Sequence, residues 1–410
     1  MLRSVLIGVL TGSAYARPVA SGAPRCLART YRFPDQSATM STSTSSDEIL
    51  HEVTNGVAIA TLNRPKALNA LNTNMVRTLL KIYTDWDASS EVSCVVLKAA
   101  GEKAFCAGGD VKQVAQRAMA GDTQAGSDFF QTEYLLDHLI HTLRKPHVAL
   151  IDGITFGGGA GVSVHGTFRV ATERTLFAMP ECAIGLYPDV GGSFYLPRLP
   201  GGTGLYMALS GARLKGADVK HATLATHYLP SALLPELEAA IQGLGHGASK
   251  QSIGELLDSF QARTQVPAGE LAAQRRDIDA AFVGRKSVEE VYAALEQHAN
   301  QTWARGVLDL ICKGSPTSQK VTFEQLRRGA ALPNLAQCLS MENRMVHNVL
   351  LNPRSDFVEG VRAMLIDRCN KPQWNPATLA EVTDEYVHSF FERPAGIPDL
   401  NLPTHGSAKL

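Results

Sequence analysis

The rhythm of hydrophobic and polar positions changes twice along the chain. Between His51 and Leu62, Val53 and the alternating Val57, Ile59 and Thr61 flank Asn55-Gly56, a pair suited to the positive φ angles of a two-residue hairpin turn. The segment 63–71 then leads into a helical pattern that runs to about Trp86. Short apolar runs at 94–97, 147–151 and 168–171 read as buried strands with helices between them. Strands and helices alternating at this spacing predict an α/β layer structure. After about Leu229 helical periodicity dominates, for example over 234–244, 271–282, 288–310 and 335–351. Asp356, with Glu359 three residues on, reads as a capping box opening a helix that ends near Asp367. The expected organisation is an α/β core over 49–229, a helical region over 230–395 and a tail over 396–410, with no internal repeat.

The two ends read as addresses. The first 34 residues hold Arg3, Arg17, Arg25, Arg29 and Arg32, several Ser and Ala, and no acid until Asp35. That is the composition of an organellar presequence, taken here as residues 1–39 and as a label for the mitochondrial matrix. A Ser/Thr-rich linker over 40–48 follows. The final Ala408-Lys409-Leu410 resembles the tripeptide read by the peroxisomal import receptor. The two labels disagree, and initiation at Met40 would release a shorter product without the first of them. Amino-terminal sequencing that found one processed form in one organelle would remove that idea.

Composition narrows the function classes. Of 410 residues, 39 are basic and 39 acidic, so no bulk field suggests nucleic acid or a membrane surface as partner. No apolar stretch approaches the roughly 20 residues that span a bilayer. The seven cysteines (26, 94, 106, 182, 312, 338, 369) lack CxxC or zinc-knuckle spacing and read as reduced, mostly buried thiols. His138 and His141 lie three apart on a helix without a matching ligand set, so they read as a solvated face and no metal is expected.

Three segments carry chemistry. In Phe105-Cys-Ala-Gly-Gly-Asp-Val-Lys112 the paired glycines present the N–H of Gly109 at a helix entrance; a tight turn with Asp110 as cap accounts for the same residues. Gly153-Ile-Thr-Phe-Gly-Gly-Gly-Ala-Gly161 precedes a small-residue helix over 162–165, and its Gly158 offers a second N–H. Together the two donors would make an oxyanion hole. Close helix packing remains an alternative for Gly159 and Gly161. Neither GxGxxG nor a P-loop fits, and Gly161-Val-Ser163-Val-His165 has His where a serine-hydrolase elbow needs glycine. Glu181 and Asp189 stand eight residues apart in Met179-Pro-Glu-Cys-Ala-Ile-Gly-Leu-Tyr-Pro-Asp-Val-Gly-Gly192, a stiff apolar stretch suited to acid/base or nucleophilic work. A satisfied buried acid and a turn aspartate are the plainer readings of the two.

These segments, in this order, resemble the crotonase (enoyl-CoA hydratase/isomerase) superfamily from about His51 to at least Arg213. The run from Met179 to Gly192, Gly314-Ser-Pro-Thr-Ser318, the stretch from Asp356 to Ala363 and Lys371-Pro-Gln-Trp374 are similar to its subgroup that hydrolyses branched 3-hydroxyacyl-CoA thioesters. The resemblance implies a ββα spiral core and hydrolysis of 3-hydroxyisobutyryl-CoA in valine breakdown. It implies a carbonyl held by Gly109 and Gly158, catalysis by Glu181 with Asp189, and a substrate-hydroxyl contact from Glu133, which lies in the helical stretch 128–143. An exposed glutamate is the plainer reading of Glu133. Lys66, near a CoA phosphate or adenine, is as readily a surface lysine. Hydratases of the superfamily place two glutamates around the alkene; one matches Glu181, the other falls on Gly161, which has no side chain. No cofactor is implied beyond the CoA of the substrate, and a homo-oligomer is left open. Hydration or isomerisation, a non-catalytic CoA-binding or ribosome-associated role and a serine thioesterase are the rivals; Gly161, the retained acids and the broken elbow argue against them in turn.

Overall fold

The computed structural model describes residues 47–352 and 355–402, which fall within one compact unit. The presequence 1–39, most of the linker and the Ala-Lys-Leu terminus lie outside the described residues. The first two strands, β1 (Ile49–Thr54) and β2 (Val57–Leu62), form the hairpin that Asn55-Gly56 predicts, with φ of +51° and +85° at the two turn residues. Strand β3 (Cys94–Ala99) adds parallel to β2. Between them in sequence runs the helix Thr73–Ala88, capped by the Asn72 side chain on Met75 N.

A second sheet intervenes from strands too short to show a period: β4 (Ala104–Cys106), β6 (Ile154–Phe156) and β8 (Leu176–Ala178), parallel, closed by antiparallel β9 (Leu214–Lys215). The larger sheet continues with β5 (His147–Ile151), β7 (Phe168–Ala171) and β10 (His227–Tyr228), in spatial order β1-β2-β3-β5-β7-β10. On one face Val57, Ile59, Val96, Val148, Leu150 and Val170 pack on Leu237, Ile241, Ile253 and Leu257 of the helices Leu234–Leu244 and Lys250–Ala262. The alternate residues Ala58, Ala60, Val95, Leu97, Ala149 and Ala171 are buried as well. A mostly parallel sheet needs both faces covered, which explains its continuous apolar runs. Each buried Val, Leu or Ile contributes about 2 kcal/mol.

Two expectations are corrected. The pattern over 288–310 is two helices, Val288–Glu296 and Gln301–Ile311, because Asn300 turns its side chain onto Trp303 N and caps the second. Asp356 is the first residue of its helix (Asp356–Val361) rather than its cap; Ser355 accepts from Phe357 N instead. The Asp356 carboxylate is engaged elsewhere, accepting from Ser315 Oγ at 2.6 Å and Asn375 N at 2.8 Å.

The later helices are part of the same packed body. Pro316–Ala331 rests on Gly192–Tyr195, and Leu335–Leu351 on the long helix Thr123–Thr142. Gly185 and Gly360 permit the closest approach: a Cβ on Gly185 would stand 2.2 Å from Asp356 O, and one on Gly360 2.4 Å from Ile184.

Candidate active site

Two glycine loops and one long helix converge. After β4 the chain turns through Gly108 (φ +105°), held because Leu71 N donates to Gly108 O and Asp110 N to Leu71 O. After β6 it turns through Gly157 (φ +45°, ψ −117°) into the helix Gly158–Val164, which begins earlier than its small-residue pattern indicates. The beginning of that helix leaves the N–H of Gly158 without an intrahelical acceptor. Gly109 N lies 3.2 Å from the point a Cβ on Gly158 would occupy, and Gly158 N lies 3.9 Å from the corresponding point on Gly108. The two N–H groups singled out in the sequence are therefore neighbours.

Carboxyls crowd the same place. Glu133 Oε1 lies 2.3 Å from the Cβ point of Gly158, and Glu181 Oε1 lies 2.8 Å from that of Gly157. Glu181 opens a short 3-10 turn, Glu181–Ile184, directly after β8. Asp189 follows, and its Oδ2 accepts from Tyr134 Oη at 2.9 Å. Glu133, Glu181 and Asp189 are only 2%, 6% and 4% exposed. Glu133 Oε1 and Glu181 Oε2 have no hydrogen-bond partner among the described residues.

Burial sets the protonation of this cluster. It pushes Glu181 well above the ordinary carboxylate range, and the charges of Asp189 and Glu133 add to the push. Glu133 is raised by burial and by Asp189. Asp189 rises to about 7 through burial, moderated by the Tyr134 hydrogen bond. Carboxyls so placed cannot all ionise at neutral pH, which divides them into proton donors and bases.

Sequence reading missed two acids here. Asp137, one turn beyond Glu133, is fully buried, and Gly161 faces it: a Cβ there would be 2.8 Å from Asp137 Oδ1 and 2.8 Å from Val190 Cβ. Glu342, on the helix Leu335–Leu351, accepts from Gly191 N at 2.7 Å and Ser193 N at 2.9 Å. Burial raises it to about 8. Both sit within apolar helical stripes, Asp137 beside Leu136 and Ile140, Glu342 beside Leu339 and Met345. An acid on such a stripe was the available signal.

The histidines are also corrected. His138 and His141 are buried, because the helix Thr123–Thr142 is enclosed by Thr73–Ala88 and Leu335–Leu351. His141 meets Phe194 edge-on at 5.9 Å. Ser163 donates to Gly159 O and Ala160 O within its own helix, and His165 Nε2 donates to Val190 O at 2.8 Å, so the two do not form a nucleophilic pair. Lys66 is exposed in the turn Pro65–Ala67, and Asp110 makes no cap bond but pairs with Arg64. Cys94, Cys106, Cys182 and Cys338 are buried thiols, whereas Cys312 and Cys369 are exposed.

Residues 57–391 match the enoyl-CoA hydratase/isomerase family. A Gallus gallus protein named mitochondrial 3-hydroxyisobutyryl-CoA hydrolase is 46% identical over 87% of this chain and 92% of its own length. 3-Hydroxyisobutyryl-CoA hydrolase 1 of Arabidopsis thaliana is 42% identical over 89% of this chain and 98% of its own. Among solved structures, a carnitinyl-CoA dehydratase from Mycobacterium thermoresistibile superposes with a TM-score of 0.80 at 39% identity, covering 88% of this chain and all of that one. An enoyl-CoA hydratase from Rhodobacter sphaeroides 2.4.1 does so with 0.77 at 34%, covering 85% and 98%. Among the described residues no helix is long and apolar enough to cross a membrane.

Proposed function

The chain belongs to the enoyl-CoA hydratase/isomerase family, and from that premise we propose that it hydrolyses 3-hydroxyisobutyryl-CoA to 3-hydroxyisobutyrate and CoA. The relatives named for this hydrolysis and the solved structures named for hydration or dehydration point to different chemistry, and the residues of the site support hydrolysis. The observation that carries the reading is at Gly161. The place where a hydratase of this superfamily has its first glutamate lacks a side chain here, and the carboxyl of Asp137 already fills the space beyond it. A second acid survives instead as Asp189, on the loop after Glu181.

In this reading the thioester oxygen accepts hydrogen bonds from Gly109 N and Gly158 N. Such a pair stabilises the charge that develops on that oxygen, and losing one donor typically costs about 10²- to 10³-fold in rate. Glu181 either attacks the carbonyl carbon, giving an anhydride that water opens, or takes a proton from water as that water attacks. On both routes the C–S bond breaks, CoA leaves as thiolate and is protonated, and the acid is released. Asp189, held by Tyr134, orients the water or the substrate and raises the basicity of Glu181 by its charge. Glu133 contacts the substrate's 3-hydroxyl. The neighbouring N–H groups and the unpaired Glu181 oxygen support these roles. With 3-hydroxyisobutyryl-CoA as the substrate, the proposed role is a step of valine breakdown. The arginine-rich residues 1–39 and relatives named as mitochondrial support the mitochondrial matrix as its site, with Ala408-Lys409-Leu410 as an additional peroxisomal address.

The test is thiol release from (S)-3-hydroxyisobutyryl-CoA, run beside hydration of crotonyl-CoA and with Glu181→Gln. Release without appreciable hydration, lost in Glu181→Gln, is expected; hydration without release would return the chain to hydratase chemistry. Rapid-quench mass spectrometry separates the two routes by an acyl adduct on Glu181.

A further inference from the structure

The helix Thr123–Thr142 presents two carboxyls, one turn apart, to two glycines of the helix Gly158–Val164. Glu133 stands against Gly158, and Asp137 against Gly161. Glu181 also keeps one unpaired oxygen, Oε2, but other buried acids nearby have partners. Glu342 accepts from Gly191 and Ser193, Asp189 from Tyr134, and Asp356 from Ser315 and Asn375. Asp137 is fully enclosed, and neither of its oxygens has a hydrogen-bond partner among the described residues. An unpaired buried polar group costs roughly 1–3 kcal/mol, so a fold that retains one has a use for it.

Accepting the hydrolase reading above, we propose that Asp137 is a specificity-determining residue that binds the 3-hydroxyl of the acyl group, together with Glu133. A carbonyl oxygen held at Gly109 and Gly158 fixes one end of the acyl group. The 3-hydroxyl oxygen lies four bonds from that carbonyl oxygen, a reach that approaches one helical turn of about 5.4 Å, roughly the step from Glu133 to Asp137. No side chain stands at Gly161, and the Asp137 carboxyl occupies the space beside its bare Cα, 2.8 Å from the point a Cβ would take.

A hydroxyl both donates and accepts, so it needs one partner of each kind. Burial holds the proton on Asp137, and the charges of Glu133, Asp189 and Glu342 add to that hold. Protonated, Asp137 donates to the hydroxyl oxygen, and the hydroxyl donates to Glu133. An acyl group without the hydroxyl leaves both carboxyls unpaired, the arrangement by which sites reject an analogue lacking one polar group.

The experiment measures thiol release by the full chain from 3-hydroxyisobutyryl-CoA and from isobutyryl-CoA, which differ only in that hydroxyl. The readout is the ratio of the two kcat/KM values, set beside the thermal melt of each variant. Asp137→Ala and Asp137→Leu, which leave different volumes, are both expected to reduce the ratio by about 10- to 100-fold. Asp137→Asn, which keeps the shape and a donor, is expected to hold it within about threefold. A ratio unchanged in Ala and Leu, with both substrates slowed alike, would overturn the assignment and leave Asp137 as a structural acid over buried water. If the unaltered chain releases thiol from neither substrate, the hydrolase reading fails first and the assignment with it. Should Ala and Leu both fail to melt cooperatively, Asp137→Ser, whose shorter side chain stops short of the 3-hydroxyl, takes their place: a ratio lowered by about tenfold or more supports the assignment and an unchanged ratio overturns it.

Discussion

Tyr134 donates its phenolic hydrogen to Oδ2 of Asp189 across 2.9 Å, joining the long helix to the loop behind Glu181. The bond favours the ionised carboxylate and opposes the burial that lifts Asp189 to about 7. Tyr134→Phe removes the donor and leaves the packing, so Asp189 should titrate higher by about one pH unit, the equivalent of roughly 1.4 kcal/mol. Infrared difference spectra of the carboxyl band across a pH series measure this. An unmoved titration would mean that water replaces the hydroxyl.

The raised Asp189 also makes stability depend on pH. Below about pH 4 the folded and unfolded chains both carry its proton, and the group costs nothing. Between there and about 7 the unfolded chain releases the proton while the folded one retains it, so rising pH progressively weakens the fold; above about 7 the loss levels off. Asp189→Asn should therefore match the parent near pH 4 and exceed it by a few kcal/mol, roughly 3–4, near pH 8. Urea unfolding at the two pH values compares them, and a gap that is constant with pH would contradict the assignment.

Gly157 is required twice. Its φ of +45° with ψ of −117° suits glycine, and a Cβ would press to 2.8 Å from Glu181 Oε1. Gly121 provides a contrast, with φ of +84° and nothing within 4 Å of its Cβ point. Both Gly→Ala changes should lower stability by about 1–3 kcal/mol through backbone strain. Only Gly157→Ala should also reduce kcat, by about 10²-fold, through displacement of Glu181. Equal activity in the two variants would show that Glu181 adjusts freely.

Glu342 holds the loop that bears Asp189. Val190, a β-branched residue, has a φ of +50°, and the N–H groups of Gly191 and Ser193 just beyond it end on the Glu342 carboxylate. Glu342→Ala leaves those donors buried and unpaired and should cost roughly 3 kcal/mol or more. Glu342→Gln keeps an acceptor and should cost less. Denaturant midpoints for the pair decide, and equal losses would show that the carboxylate's charge, not its acceptor geometry, holds the loop.

Much of this protein was determined locally and is legible in the chain. The strands β5 and β7 and the helices Leu234–Leu244 and Leu335–Leu351 appear in the structure with the bounds predicted, because burial on both faces is written as a continuous apolar run and burial of one helix face as a repeat of 3.6 residues. The glycine loops and the Glu181–Asp189 segment were visible because sharp backbone turns and acids in apolar runs are chemically conspicuous. Strands β4, β6, β8 and β9 were not visible, since two or three residues carry no period and take their conformation from their neighbours. The resemblance brought Glu133, Glu181 and Asp189 into one site, but the chain did not reveal that Asp137 and Glu342 join them, so that five acids spread over some 210 residues lie in one buried neighbourhood. Burial, and with it each acid's proton affinity, comes from what packs around a side chain. For Asp137 and Glu342 only the tertiary structure supplies those neighbours.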